Sequence, residues 1–177
     1  PVFEIPIQPP SIPGMRLNAQ LTRMASAKAR VILGSPLTAI HAADGRIQAV
    51  DYASAGRATR VETRAVILAA GGFESGALEL DSYGAVADTV CGLPVMGPTG
   101  QLLHADFWGD EQPLFLAGLA VDDSMRVVDD NGTPVYTNLF AAGGNLAGAT
   151  RWREKSGEGI ALASALAAVD AIVEELK

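Results

Sequence analysis

Asn138-Leu139-Phe140-Ala141-Ala142-Gly143-Gly144-Asn145 is an apolar run cut off by paired glycines. After a polar loop the chain resumes at Ser156-Gly157-Glu158-Gly159 and continues, rich in alanine, to Lys177. A run without alternation reads as a strand buried on both faces, as in a parallel sheet covered by helices. The glycine pair lets the backbone turn tightly and lets another group approach it. The resumed segment reads as a helix with Ser156 at its N-cap position and two glycines in its first turn. Such a helix start offers bare N–H groups and the positive end of the helix dipole, which suits a flat, electron-rich or anionic ligand.

A second stretch repeats the first half of this pattern. Arg64-Ala65-Val66-Ile67-Leu68-Ala69-Ala70 is apolar after its first residue and stops at Gly71-Gly72. Two strand ends of this kind shift the reading from simple turns toward a ligand crevice at the carboxyl edge of a parallel sheet. Between and around them the chain alternates. Leu17, Leu21 and Met24 place a short amphipathic helix within residues 14–28, and Arg30 to Leu33 reads as a short strand. Segments 36–43 and 46–53 flank Asp44-Gly45, a two-residue hairpin signal, and 57–62 adds a third antiparallel strand. A brief helix is expected within 73–83, and strands at 118–122 and 125–129, with a turn at Asn131-Gly132. In the last helix Leu162, Leu166, Val169, Val173 and Leu176 recur at helical spacing and read as its core face.

Bulk composition narrows the class. The chain has 177 residues, 49% hydrophobic and 19% charged, which reads as one globular domain (1–177) with a linker-like lead-in over residues 1–13 that holds five of the ten prolines. The chain opens at Pro1 without a methionine, and with that lead-in it reads as the C-terminal part of a longer protein. No apolar run reaches the roughly 18–20 residues of a membrane span. A formal net charge of −7 disfavours nucleic acid as a partner. One cysteine, Cys91, excludes an internal disulfide and a multi-cysteine metal site, and no metal is expected; a cytoplasmic setting fits this cysteine usage.

Several side chains carry two readings. Gly157 and Gly159 serve either a ligand or close helix–strand packing. Arg151, Arg153 and Lys155 meet a substrate phosphate or carboxylate, a bound cofactor, or only solvent. His104 is the candidate catalytic base, set against a structural or exposed role. His41 reads as exposed, and Cys91 as a core residue. Asp122-Asp123 and Asp129-Asp130 read as turn chemistry.

The combination of motifs resembles a known group. Val66-Ile67-Leu68-Ala69-Ala70-Gly71-Gly72-Phe73 looks like the second glycine motif of two-dinucleotide-binding flavoproteins. Asn138 to Gly144, followed by Ser156-Gly157-Glu158-Gly159, is similar to their C-terminal FAD motif. Within this fumarate reductase-related group, Pro9-Pro10-Ser11-Ile12-Pro13-Gly14-Met15-Arg16 and Cys91-Gly92-Leu93-Pro94-Val95 are similar to the B subunits of anaerobic glycerol-3-phosphate dehydrogenases. The resemblance implies an α/β class, the C-terminal part of a Rossmann-like FAD/NAD(P)-binding flavoprotein fold with an antiparallel meander. It implies FAD as cofactor, with FMN the alternative. Gly71, Gly143, Gly144 and Asn145 would then lie by the pyrophosphate and ribityl chain, and Ser156 to Ile160 by the flavin's pyrimidine edge. It further implies oxidation of a secondary alcohol and transfer of electrons toward quinone. Partner subunits would carry those electrons at the inner membrane.

Two departures bound the resemblance. The group's N-terminal Gly-x-Gly-x-x-Gly turn does not occur in these 177 residues, so the isolated chain is expected to bind flavin weakly and to be inactive without a preceding segment. The loop before the last helix is Arg151-Trp152-Arg153-Glu154-Lys155 where the B-subunit pattern is glycine-rich. A flavin-free assembly scaffold of the same fold, and a fumarate reductase-like flavoprotein with another substrate, remain the alternatives.

Overall fold

The computed structural model describes residues 11–106 and 108–177. Most of the proline-rich lead-in, including Pro9-Pro10, lies outside them. The chain divides into two compact units, Pro1–Ser35 and Pro36–Lys177. In the first unit helix α1 (Ile12–Ser26) begins two residues earlier than the periodicity suggests, because Ser11 caps it: the Ser11 hydroxyl accepts from the Gly14 N–H at 2.9 Å. Pro13 sits at the helix start, where its missing donor costs nothing. Residues 30–33, expected as a strand, are irregular, since no described segment pairs with them.

The second unit opens with the expected meander: β1 (Leu37–Ala43), β2 (Arg46–Ser54) and β3 (Arg57–Glu62), paired in that order and antiparallel. Asp44 and Gly45 both take positive φ, as the tight hairpin between β1 and β2 requires. Ile47 and Ala49 of β2 point to the core, while β3 is exposed along its length. The strand β4 (Val66–Leu68) then runs parallel to β7 (Leu139–Ala141), in the register Val66↔Leu139, Ile67↔Phe140, Leu68↔Ala141. All three β7 residues are fully buried, as their unbroken apolar run predicts. The same expectation fails in part for β4, where Ile67 keeps 36% of its surface exposed.

Between these strands the chain is less regular than its sequence suggests. The helix expected within 73–83 shrinks to a single 3-10 turn, Phe73–Ser75, because Gly76 takes a left-handed φ and the chain extends at once into β5 (Leu78–Leu80). β5 pairs antiparallel with β6 (Val86–Asp88). Segments 118–122 and 125–129 are joined by a single isolated bridge, Val121↔Val127, and Leu119 also bridges Leu146 in parallel. The core gathers Ile47, Leu68, Leu93, Leu119, Val127, Leu139, Ala141 and Leu146.

Helix α2 (Arg151–Glu154) is one turn, and α3 (Gly157–Glu175) is the long closing helix. Its apolar stripe does not face the core. Leu162 is 73% exposed and Leu166 62%, and Val169, Val173 and Leu176 are also open. The buried positions are Ser164 and Ala168. Small residues win this face because they let the helix lie close to the β7 end, where the Ser164 hydroxyl takes the Gly143 N–H at 2.9 Å. An ion pair between Arg126 and Glu175 holds the far end, with the Arg126 guanidinium 5.5 Å above the Phe140 ring.

Asn138 fastens the meander to the parallel pair. Its Oδ1 accepts from the Ile47 N–H at 2.9 Å, and its Nδ2 donates to the Ile47 and Arg64 carbonyls, each at 2.9 Å. The side chain is 1% exposed. Every hydrogen-bonding position of its amide but one lone pair is therefore used.

Candidate functional site

Parallel pairing sets the ends of β4 and β7 level, so Gly71-Gly72 and Gly143-Gly144 emerge side by side. Gly71 and Gly143 take φ of +86° and +82°, which a residue with a side chain adopts only under strain. The two turns touch. A Cβ on Gly72 would stand 2.7 Å from the Gly144 carbonyl oxygen, and one on Gly144 would stand 3.3 Å from the Gly72 nitrogen. The glycines at 72 and 144 are thus required by the closeness of the two ends.

Asn145 lies directly behind this seam and is 2% exposed. Its Nδ2 donates to the Leu68 carbonyl at 3.0 Å and its backbone oxygen accepts from the Leu119 N–H at 2.7 Å. The side-chain Oδ1 is buried with no hydrogen-bond partner. A buried acceptor left unpaired costs about 1–3 kcal/mol, so a donor at this point has a place prepared for it.

The start of α3 closes the site from the other strand end. Ala161 lies 3.8 Å from where a Gly143 Cβ would be, and Ile160 packs on the core. The first intrahelical bond runs from the Ile160 N–H to the Ser156 oxygen at 2.9 Å, which leaves the N–H groups of Gly157, Glu158 and Gly159 without intrahelical partners. Ser156 holds the N-cap position as expected, but its hydroxyl does not cap. It donates to Glu154 Oε2 at 2.9 Å, and Thr150 binds the other carboxylate oxygen at 2.5 Å. These two hydroxyls, Thr150 first, hold the Glu154 carboxyl below the usual range. Nothing lies within 4 Å of a Cβ added to Gly157 or Gly159. Among the described residues, therefore, no close packing requires glycine at either position.

Of the three loop cations, the fold brings Arg151 to the seam. Its Nη2 would lie 2.8 Å from a Gly72 Cβ and its Nη1 2.9 Å from a Gly144 Cβ, and Nη2 also pairs with Glu74 at 3.1 Å. The Glu74 carboxyl is held below the usual range by its own backbone N–H first, and by Arg151 after the opposing effect of partial burial. Arg153 and Lys155 are exposed and have no partner among the described residues. His104 is likewise exposed; its backbone N–H is tied to Gln112 at 2.6 Å, and no contact joins its ring to the glycine seam.

Other titratable groups are accounted for elsewhere. Burial, then Asp88, pushes the Cys91 thiol up to about 11, so it is protonated and unreactive at neutral pH, in keeping with a core role. His41 is not a free surface group: its Nε2 stands 2.7 Å from Asp51, which also binds Arg60 at 2.9 Å. Arg60 first, then His41, holds the Asp51 carboxyl far below its ordinary range. Asp122 accepts from the N–H groups of Ser124 and Arg126, and Asp129 from those of Asn131 and Thr133, so both serve their turns.

Sequence reasoning missed Asn138, Ser164 and Gly118. A Cβ on Gly118 would stand 2.6 Å from backbone atoms of Asn145, Leu146 and Ala147. The lone glycine in an otherwise apolar stretch was a signal for such an approach. No pattern pointed to Asn138 or Ser164, since their partners are set by tertiary contact.

The donor and acceptor set fits FAD. Bare helix N–H groups suit the electron-rich edge of a flavin, and the unpaired Asn145 Oδ1 suits a ribityl hydroxyl. The family model described as FAD binding domain matches residues 1–160. The B subunit of a probable anaerobic glycerol-3-phosphate dehydrogenase of Halobacterium salinarum is 30% identical over 179 residues, covering 99% of this chain and 41% of the relative. The B subunit of the anaerobic glycerol-3-phosphate dehydrogenase of Glaesserella parasuis serovar 5 is 26% identical over 179 residues, covering 97% of this chain and 41% of the relative. The chain thus spans about two fifths of the length of these curated relatives. No solved structure matches it.

Proposed function

This chain belongs to the FAD binding domain family, and we propose that it forms one wall of the flavin site in an FAD-dependent dehydrogenase similar to the B-subunit relatives. Gly71, Gly143, Gly144 and Asn145 line the pyrophosphate and ribityl side, and the main chain from Ser156 to Ile160, Glu158 included, lines the flavin's pyrimidine edge. The carrying observation is that, among the described residues, nothing lies within 4 Å of a Cβ added to Gly157 or Gly159, in the first turn of the helix whose Ala161 packs on Gly143. When bound, FAD supplies the acceptor for the electron pair of a substrate alcohol. The residues of this chain bind and orient that cofactor and bias its electronics.

The names of the relatives support glycerol 3-phosphate as substrate and other subunits of a dehydrogenase complex as partners; passage of the electrons toward quinone is part of the same proposal. No helix among the described residues is long and apolar enough to cross a membrane. Membrane contact made through partner subunits, by a protein that is itself cytoplasmic, belongs to the same reading. So does the Rossmann-like fold: the parallel pair β4–β7 ending in glycine turns is its portion in this chain.

FAD titration followed by flavin absorbance tests the reading, with the chain alone and joined to the amino-terminal segment of a B-subunit relative. Weak binding alone and firm binding when joined is the expected result. Gly157→Ala with Gly159→Ala should leave the melting temperature unchanged or raise it, since alanine favours a helix by about 0.5–1 kcal/mol per residue where nothing is displaced. The same pair should weaken FAD binding at least about tenfold, the loss expected for obstructed charge-assisted N–H contacts. Firm flavin binding by the double variant sinks the assignment of the helix start. No binding in the joined protein favours the flavin-free scaffold.

A further inference from the structure

The guanidinium of Arg151 lies across the junction of the two glycine turns, with Nη2 beside Gly72 and Nη1 beside Gly144. Only Nη2 is engaged, by the two Glu74 oxygens at 3.1 and 3.3 Å, so Nη1 and Nε hold no partner among the described residues. The two partners differ in freedom. The Arg151 side chain is 27% exposed and packed against the turns, whereas that of Glu74 is 69% exposed at the start of the 3-10 turn. A planar fork with unused donors, fixed against backbone that only glycine permits, is suited to a phosphate group. An exposed carboxylate is the easier of the pair to release.

We propose that Arg151 is a phosphate-binding residue of the glycine seam and that Glu74 is its internal competitor, occupying the guanidinium until a ligand phosphate displaces it. The inference rests on the flavin-site reading for its location, but the chemistry it assigns is that of a phosphate group. Either the pyrophosphate of a dinucleotide cofactor or the phosphate of a substrate can supply that group. Glu74 then sets a threshold: ligands lacking phosphate leave the pair intact, and phosphorylated ligands exchange one anion for another around the same cation.

Amide NMR titrations of the native chain, Glu74→Gln, Arg151→Gln and the double variant with FAD, riboflavin, inorganic pyrophosphate and glycerol 3-phosphate test this. Glu74→Gln should tighten phosphate-bearing ligands by about two- to fivefold, the scale of an exposed ion pair. Arg151→Gln should weaken them by about tenfold or more. Riboflavin should respond to neither substitution, and Glu74→Gln should have no effect once Arg151 is gone. Arg151→Lys, which keeps the charge without the fork, should fall between. A response to pyrophosphate alone assigns the phosphate to the cofactor, and a response to glycerol 3-phosphate alone assigns it to the substrate. The proposal fails if riboflavin shifts as much as FAD, if Glu74→Gln weakens phosphate ligands, or if no phosphate ligand perturbs Gly72 and Gly144. Pyrophosphate binding at the seam without any flavin binding would overturn the cofactor reading and leave this one standing.

Discussion

Asn138 shows how much of this fold can depend on one side chain. Its amide serves both backbone groups of Ile47 and the Arg64 carbonyl, joining the second meander strand to the segment that leads into β4. Leucine has nearly the same volume and none of the hydrogen bonds. Asn138→Leu should therefore leave both backbone groups of Ile47 without this partner, while the Arg64 carbonyl keeps the Arg46 guanidinium at 2.7 Å; at about 1–3 kcal/mol for each Ile47 group the loss is roughly 2–6 kcal/mol. Urea unfolding measures it, and a loss under about 1 kcal/mol would show that water or a shifted backbone replaces the amide. The three bonds reach across 91 and 74 positions of sequence, and this distance is why no local pattern announced the residue. The glycines at 71, 72, 143 and 144 were legible for the opposite reason. An apolar strand that stops in two glycines is a local signal, and its cause is equally local.

At the scale of the element, α3 separates what periodicity can tell from what it cannot. The spacing of Leu162, Leu166, Val169, Val173 and Leu176 identifies a helix, and the helix is there. Which side packs depends on how near the neighbour must come. Here Ser164 and Ala168 meet the β7 end, because a closer approach secures the Gly143 N–H as well as dispersion contacts. Two sets of substitutions follow from this inversion. Leu162→Glu with Leu166→Lys should leave the unfolding midpoint of the chain within about 0.5 kcal/mol of its original value and reduce self-association seen by light scattering. Ala168→Leu should cost about 1–3 kcal/mol by forcing a larger side chain into a filled contact. Equal destabilisation by both sets would restore the leucine stripe as the packed face. The 3-10 turn at Phe73–Ser75 makes a similar point: the segment has helical apolar spacing, yet Gly76 and the pairing of β5 with β6 take the chain elsewhere.

At the scale of the molecule, the site is shared among segments that are far apart in the chain, and its parts gain stability together. A ligand that binds the folded state alone raises stability by an amount set by its concentration over its dissociation constant, about 2.7 kcal/mol at a hundredfold excess. For a domain of this size that corresponds to a rise in melting temperature of roughly 5–10 °C. Differential scanning calorimetry at increasing FAD should show this rise in the chain joined to the amino-terminal segment of a B-subunit relative. No dependence on FAD concentration would mean that the glycine seam is architecture only.

The level ends of β4 and β7 also have a consequence in time. The strand that ends in Gly71-Gly72 is made long before its partner, and the contacts that finish the seam run from Leu68 to Asn145, from Glu74 to Arg151 and from Gly143 to Ser164. The meander needs only neighbouring hairpins and can form while the chain is still being synthesised. The parallel pair must wait for residues 139–141, about seventy positions on, carrying the loop entropy of everything between. During that wait β4 is an apolar strand whose pairing partner among the described residues is not yet made, the kind of segment that associates wrongly between chains. Folding yield, more than final stability, is where changes to the closing segment should first be felt.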